Sequence, residues 1–134
     1  IETMMKIHQY TMLCAPILSQ KAAVEALGSR CLADVQEMRS SYEERRNFIW
    51  KALNDIGLQC SKPRGAFYAF PHIGDRGMTS KDFALKLLND QNVACVPGTA
   101  FGPSGEGYLR CSFSTDLDDI KEAMRRIGLF VKKL

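Results

Sequence analysis

The spacing of apolar residues in the first half of the chain predicts two helices. A short helix is predicted over residues 16–27, because Pro16 suits a first helical turn and Gly28 suits a helix end. Apolar or long side chains then recur every three or four positions, which predicts a long helix over residues 29–56 that Gly57 terminates. The recurring positions are Val35, Met38, Tyr42, Ile49, Ala52 and Ile56. Such a helix spans about 40 Å, which favours a bridge between two domains; the alternative is a kink at Gly28 with early fraying.

The second half of the chain alternates strand-like and helix-like segments. Strands are predicted over residues 66–70, 93–96 and 108–113, and helices over residues 80–91 and after Thr115. Strands interleaved with helices predict an α/β (α+β) fold, in which helices cover a small three- to four-stranded sheet, mainly on one side. The long helix precedes this layer as an N-terminal interdomain helix.

Acidic residues mark the starts of the two later helices. Thr79 followed by Asp82 resembles a capping box, and Thr115 followed by Asp118 has the same spacing. The acidic residues of the last helix crowd its first turn, where the helix dipole favours negative charge. We therefore predict a structural role for them rather than a metal site.

Arg110 is the candidate functional residue, because a strand holds it in one orientation. Side chains alternate between the two faces of a strand, so Leu109 and Cys111 share one face, while Arg110 shares the other with Tyr108 and Ser112. A guanidinium fixed in this way presents a planar fork of donors that matches a carboxylate or a phosphate in two parallel hydrogen bonds. The alternative is a solubilising charge on a solvent-facing strand.

Glycine and aromatic residues surround the predicted arginine strand. The glycines between residues 97 and 107 lead from one strand into another, which predicts tight turns rather than a phosphate-binding loop at a helix start. Phe101 lies among these turns, either as core packing or as a wall of a substrate site. Phe67 and Tyr68 occupy opposite faces of their predicted strand, with Phe67 expected in the core and Tyr68 toward the cleft.

Composition and charge argue against several classes of partner. The chain has 134 residues, is 46% hydrophobic and carries a net charge of +3 without a basic cluster, so neither nucleic acid nor a membrane is an expected partner. No apolar run is long enough to span a bilayer. The five cysteines include no CxxC pair, and Cys95 and Cys111 lie in predicted strands as small hydrophobic residues. This cysteine usage indicates a cytoplasmic protein without a metal site.

Three motifs in a fixed order resemble one enzyme family. Residues 20–27 read QKAAVEAL, residues 63–71 read PRGAFYAFP, and residues 97–102 read PGTAFG shortly before Arg110. In this order and at these distances they resemble the C-terminal part of the class I and II aminotransferases, which are pyridoxal-phosphate enzymes of fold type I. The resemblance runs over nearly the whole chain.

The resemblance implies a division of roles between this chain and a missing N-terminal large domain. Residues 1–28 would be the tail end of the large cofactor-binding domain, and residues 29–134 the C-terminal small domain. In the family, the arginine after the PGxxFG turn binds the α-carboxylate of the amino-acid or 2-oxo-acid substrate. Arg110 stands at that position, and Phe101 is a further candidate for substrate binding.

The resemblance also implies where the cofactor binds. The family's Schiff-base lysine lies in a Ser-x-Ser/Thr-Lys context, which none of the nine lysines here has. The catalytic lysine and the pyridoxal 5'-phosphate site are therefore expected upstream of this chain, which should bind no cofactor by itself. The whole enzyme is expected to be a cytoplasmic homodimer that transfers an amino group between an amino acid and a 2-oxo acid.

Two other functions fit the same residues. A lyase or synthase of the same fold would use the same arginine, because carboxylate capture is common to these enzymes. A stand-alone α/β module that binds a small carboxylate or a protein partner is the other alternative. A product assay on the full-length protein distinguishes a lyase or synthase from an aminotransferase. An open reading frame that continues upstream would exclude the stand-alone module.

The missing lysine context predicts that this chain alone is inactive. Mixed with pyridoxal phosphate, the 134-residue chain is expected to show neither a stable lysine–cofactor absorption band nor keto-acid production from amino acids. Absorption spectra and borohydride trapping with mass spectrometry check this expectation. A stoichiometric adduct at one lysine, together with turnover, would contradict it.

Overall fold

A computed structural model of the chain describes residues 1–12 and 14–134. These residues divide into two compact units, Ile1–Arg39 and Ser40–Leu134. The second unit contains a three-stranded antiparallel sheet together with helices, which confirms the predicted α/β (α+β) class.

The first unit is helical. Helix α1 (Glu2–Thr11) and helix α2 (Ile17–Ala26) are followed by a 3₁₀ turn (Ser29–Cys31) and by helix α3 (Leu32–Asp55), whose first turns belong to this unit. Helix α2 confirms the helix predicted over residues 16–27. Helix α1 was not predicted.

Helix α3 confirms the predicted long helix with one change at its start. The chain enters through a 3₁₀ turn, so the α-helix begins at Leu32 rather than at residue 29. At the other end Gly57 adopts φ of 82°, the left-handed conformation expected of a helix terminator. The backbone N–H of Leu58 donates to the carbonyl of Leu53 at 2.9 Å and closes the last turn.

Apolar side chains of the first unit are exposed. The sequence predicts such a patch if this segment comes from a larger domain, with the members Ile7, Tyr10, Met12, Leu13, Ile17 and Leu18. Leu13 lies outside the described residues, and the other five are each more than half exposed. None of the described residues before Ser40 is buried. Among the described helices none combines the length and the apolar content needed to cross a membrane.

The sheet of the second unit is built around one central strand. Strand β3 (Leu109–Ser112) lies between β1 (Tyr68–Ala69) and β2 (Val96–Pro97) and is antiparallel to both. Ser112 and its preceding residue pair with β1, whereas the first two residues of β3 pair with β2. Each edge strand therefore has only two paired residues.

This pairing shortens the predicted strands. The segment over residues 66–70 forms a strand only at Tyr68–Ala69, and the segment over residues 93–96 pairs only from Val96 onward. Cys95 thus lies just before β2 rather than within it. The alternation within β3 is confirmed, since Leu109 and Cys111 are buried and Arg110 is half-buried.

Helices α4 (Ser80–Gln91) and α5 (Leu117–Val131) complete the second unit. The bounds of α4 match the prediction, and the Thr79 hydroxyl accepts the backbone N–H of Asp82 at 3.1 Å as a cap. The cap predicted for α5 is wrong. Its N-cap is Asp116, without a side-chain cap bond, because the Thr115 hydroxyl donates to the Asp119 carboxylate instead.

One hydrophobic core joins the helices to the buried face of β3. Leu53 of α3, Phe83 of α4, Leu109 of β3 and Phe130 of α5 are each at most 1% exposed. The rings of Phe83 and Phe130 meet edge to face with their centroids 5.1 Å apart. This packing fixes β3 on the helices and leaves its other face free for the arginine.

The prediction that Phe67 belongs to this core is wrong. Its side chain is 41% exposed, although the Phe67 carbonyl still accepts the Phe113 N–H at 3.0 Å. The Phe67 ring instead lies against Tyr42 and Tyr68, at centroid distances of 6.0 and 4.8 Å. Ala69 is the buried residue of this strand.

The exposed apolar side chains of the first unit predict self-association of the 134-residue chain, because apolar surface in water favours burial against a second copy. The double variant Leu18→Lys and Leu27→Lys is expected to lower the average mass measured by light scattering. Gln20→Lys adds one of the two positive charges without removing an apolar side chain and should leave the mass unchanged. A monomeric unmodified chain at high concentration, with this segment well ordered, would contradict the prediction.

Candidate functional site

Arg110 lies over two aromatic rings. Its guanidinium carbon is 4.3 Å from the centroid of the Tyr68 ring and 4.6 Å from that of Phe101. Both distances are typical of cation–π contacts, which attract the charge without using a hydrogen-bond donor. Among residues 1–12 and 14–134, no side chain or carbonyl accepts a hydrogen bond from this guanidinium. Its donors are therefore available to a ligand.

The sheet register brings Tyr68 to the arginine. Tyr68 pairs with Ser112, which shares a face of β3 with Arg110 two residues earlier. Diagonal neighbours on one face of an antiparallel pair lie within reach of long and aromatic side chains. The sequence alternation indicated a cleft-facing Tyr68, and its contact with Arg110 follows only from the register.

Phe101 reaches the same guanidinium from the opposite edge of the sheet. Val96 of β2 pairs with Arg110, and the chain then folds back through a 3₁₀ turn at Gly98–Phe101. The Phe101 side chain is 54% exposed, so the core alternative for this residue is wrong. Its ring lies beside Arg110, on the exposed side of the sheet.

Two more rings extend this aromatic surface. Phe70 stacks on Tyr108 with a centroid distance of 5.3 Å and an interplanar angle of 13°, and it meets the edge of Phe101 at 6.4 Å. A recess of about 350 Å³ lies next to this stack, and His72 is among its lining residues. The other lining residues are Gln59, Ser61, Phe70 and Tyr108. The arginine thus stands beside a surface of rings and hydrogen-bonding groups.

The turn that carries Phe101 depends on two glycines in backbone contact. A Cβ atom at Gly98 would collide with the carbonyl oxygen of Gly105, and one at Gly105 would collide with the carbonyl of Gly98. The Gly98 N–H also donates to the Tyr108 carbonyl at 2.8 Å. This arrangement confirms the interpretation of these glycines as turns that allow close backbone approach.

Ser80 anchors the far side of the turn and was missed at the sequence level. Its fully buried hydroxyl accepts the backbone N–H groups of Gly107 at 2.8 Å and Tyr108 at 3.1 Å. In return, the Glu106 carboxylate accepts the Ser80 N–H at 2.7 Å, and this hydrogen bond holds the pKa of Glu106 below its ordinary value. Nothing in the sequence distinguishes this serine from an ordinary first residue of a helix.

A family model described as "Aminotransferase class I and II" matches residues 1–127 of the chain. Among curated relatives, the aspartate aminotransferase of Pyrococcus abyssi is 47% identical over 95% of this chain and 33% of its own length. The aromatic-amino-acid aminotransferase 2 of Thermococcus litoralis is 43% identical over 99% of this chain and 34% of its own length. The chain thus spans about a third of the length of these relatives.

Solved structures agree with these similarities. The crystal structure of the aromatic aminotransferase from Pyrococcus horikoshii matches 98% of this chain with a TM-score of 0.88 and 45% sequence identity. The match covers 36% of that chain. At this identity the likeness reflects common descent as well as a common fold.

Gly98→Ala tests the backbone contact under the turn. The new methyl group must displace the Gly105 carbonyl, so the free energy of unfolding is expected to fall by about 1–3 kcal/mol. Urea unfolding followed by circular dichroism measures this change. Gly65→Ala is the matched control, because a Cβ at Gly65 meets no atom within 4 Å. Equal stability of the two variants would show that the turn relaxes freely.

Proposed function

Because the chain belongs to the class I and II aminotransferases, we propose that it is the C-terminal part of a pyridoxal-phosphate-dependent aminotransferase. In this proposal, Arg110 binds the α-carboxylate of the amino-acid substrate and of the 2-oxo acid formed from it. The chain contributes substrate orientation rather than the reacting groups.

The unpaired donors of Arg110 carry this proposal. Arg110 is half-buried, and burial of a charged group is costly unless a partner of opposite charge offsets it. Its described contacts are the rings of Tyr68 and Phe101, which attract the cation but accept none of its N–H groups in a hydrogen bond. A carboxylate that binds two parallel N–H groups supplies the missing partner.

Tyr68 and Phe101 act as positioning residues in this arrangement. Attraction to the two rings limits the rotamers of the long arginine side chain before substrate arrives. A guanidinium held in advance loses less conformational entropy on binding and fixes the carboxylate in one orientation. Since Phe101 is half exposed, it also forms part of the wall of the proposed substrate site.

The cofactor is assigned to the rest of the enzyme. Pyridoxal phosphate supplies the electron sink that stabilises negative charge at the substrate Cα. The groups described around Arg110 are aromatic rings, and none of them is an amine that can attach the cofactor. We therefore assign no residue of this site to pyridoxal phosphate and expect the attachment lysine in the large domain.

The proposal also assigns the chain to two domains of the whole enzyme and gives that enzyme an oligomeric state. Residues 1–28 are assigned to the end of the large domain and residues 29–134 to the small domain, with the long helix α3 near the junction. The exposed apolar residues of the first unit are then covered by the rest of the large domain. We further propose that the whole enzyme works as a cytoplasmic homodimer.

The proposed substrate class follows from the groups that all α-amino acids have in common. The relatives named above are an aspartate and an aromatic-amino-acid aminotransferase, with similar identity to this chain. These amino acids differ in their side chains and share the α-amino and α-carboxylate groups. Carboxylate binding by Arg110 therefore fits both kinds of substrate and does not select between them. The names of these relatives favour transamination over a lyase or synthase reaction.

The carboxylate role predicts a large kinetic effect of Arg110→Ala in the full-length enzyme. A charge-assisted hydrogen bond contributes about 1.5–3 kcal/mol, so kcat/KM is expected to fall by roughly ten- to several-hundred-fold for amino and keto acids alike. Arg110→Lys keeps the charge but not the planar fork and should recover only part of the loss. Steady-state kinetics with both substrates measure these effects.

Cofactor loading and a matched arginine variant serve as controls for this experiment. The cofactor absorption spectrum should stay normal in Arg110→Ala, because Arg110 does not hold the cofactor. Arg64→Ala removes an exposed arginine outside the aromatic surface and should leave kcat/KM unchanged. Near-normal kcat/KM for Arg110→Ala with a normal spectrum would show that Arg110 is only a surface charge.

A further inference from the structure

Two cysteine thiols lie next to each other on the core-facing side of strand β3, opposite the face that carries Arg110. Cys95 directly precedes β2, and the register of β2 with β3, Val96 with Arg110 and Pro97 with Leu109, places Cys95 opposite Cys111. Their Sγ atoms are 3.6 Å apart, and both thiols are free. The proposed carboxylate site uses neither of them.

The position of this pair is compatible with a disulfide bond. Directly opposed residues of an antiparallel pair have Cα atoms roughly 4.5–5.5 Å apart, which lies within the range that disulfides span. The S–S bond is about 2.05 Å long, so the sulfur atoms must approach by about 1.5 Å. Rotation of the two side chains supplies such a movement without a shift of the paired backbones.

A small cavity gives an oxidant access to the pair. The cavity has a volume of about 70 Å³ and is lined by both cysteines. Its lining also includes Ser112, Thr115 and Asp119, which are exposed, so the cavity reaches the protein surface. A water molecule occupies about 30 Å³ in the liquid, so a molecule of the size of hydrogen peroxide fits.

The two thiols differ in reactivity. The hydrogen bond with Cys111 lowers the pKa of Cys95, whereas the same bond and burial raise the pKa of Cys111. These opposite directions favour Cys95 as the attacking thiolate and Cys111 as the neighbouring thiol that resolves the product.

We propose that Cys95 and Cys111 form a peroxide-oxidised dithiol site. The Cys95 thiolate attacks one peroxide oxygen, the O–O bond breaks, and hydroxide leaves, takes up a proton and becomes water, so that Cys95 becomes a sulfenic acid. The Cys111 sulfur then attacks the Cys95 sulfur, the S–S bond forms, and the sulfenic oxygen leaves as a second water with the Cys111 proton. In total, two thiols are oxidised to a disulfide, and one hydrogen peroxide is reduced to two waters.

The bond would link the two strands next to the candidate site. Arg110 is adjacent to Cys111 in the chain, and its strand partner Val96 is adjacent to Cys95. A disulfide at this place closes the end of the β2–β3 pair, and a thiol reductant opens it again.

Peptide mapping of the full-length enzyme tests the site directly. Trypsin cleaves after Lys86, Arg110 and Lys121 and so separates the two cysteines into the peptides of residues 87–110 and 111–121. After hydrogen peroxide treatment and blocking of free thiols with N-ethylmaleimide, we expect these peptides joined, lighter than their sum by two hydrogens. Dithiothreitol should separate them before mapping.

Variants identify the partners. Cys95→Ser and Cys111→Ser should each abolish the linked peptide, whereas Cys31→Ser, which removes a cysteine outside the pair, should retain it. Recovery of both wild-type peptides with maleimide on each cysteine would overturn the proposal. Sulfinic acid at Cys95 with a free Cys111, or a link from either cysteine to another one, would also overturn it. The wild-type measurement stands even where a variant fails to fold.

Discussion

The antiparallel pairing of strand β3 with both neighbours is the interaction on which the rest of the second unit depends. Its four residues are divided between two edges, so β1 pairs with one half and β2 with the other. One face of β3 enters the hydrophobic core through Leu109 and Cys111, which holds the strand against the helices. The opposite face carries Arg110 and is free of core packing.

Aromatic contacts and a tight turn together hold the Arg110 side chain in position. Tyr68 reaches it through the register of β1, and Phe101 reaches it through the turn that follows β2. The turn is narrow because the backbones of Gly98 and Gly105 touch, and the buried hydroxyl of Ser80 satisfies the N–H groups behind it. A charged side chain is thus held by rings and by backbone geometry, while its donors stay available for an anionic ligand.

The same strand connects the arginine to the thiol pair. Arg110 and Cys111 are consecutive and point to opposite faces, so the guanidinium lies on the exposed side and the thiol on the core side. A covalent change at Cys111 would therefore occur one residue from Arg110, on the same strand. Substitutions at neighbouring residues often have non-additive effects, and the proposed thiol chemistry and the proposed carboxylate binding share strand β3.

The sequence by itself determined helix bounds and strand alternation, because both depend on residues that are close together in the chain. The Thr79 cap and the apolar stripe set α4 at its predicted bounds, and the alternation of β3 separated Arg110 from Cys111. The ordered motifs pointed to the family, and the match of the family model to residues 1–127 confirms it. Tertiary structure alone decided that Phe67 is exposed, that Ser80 anchors the turn, and which rings and thiols meet. Periodicity assigns a side chain to one face of its own helix or strand. The contacts of that side chain depend on strand register and on chain reversals, and residues distant in the sequence determine both.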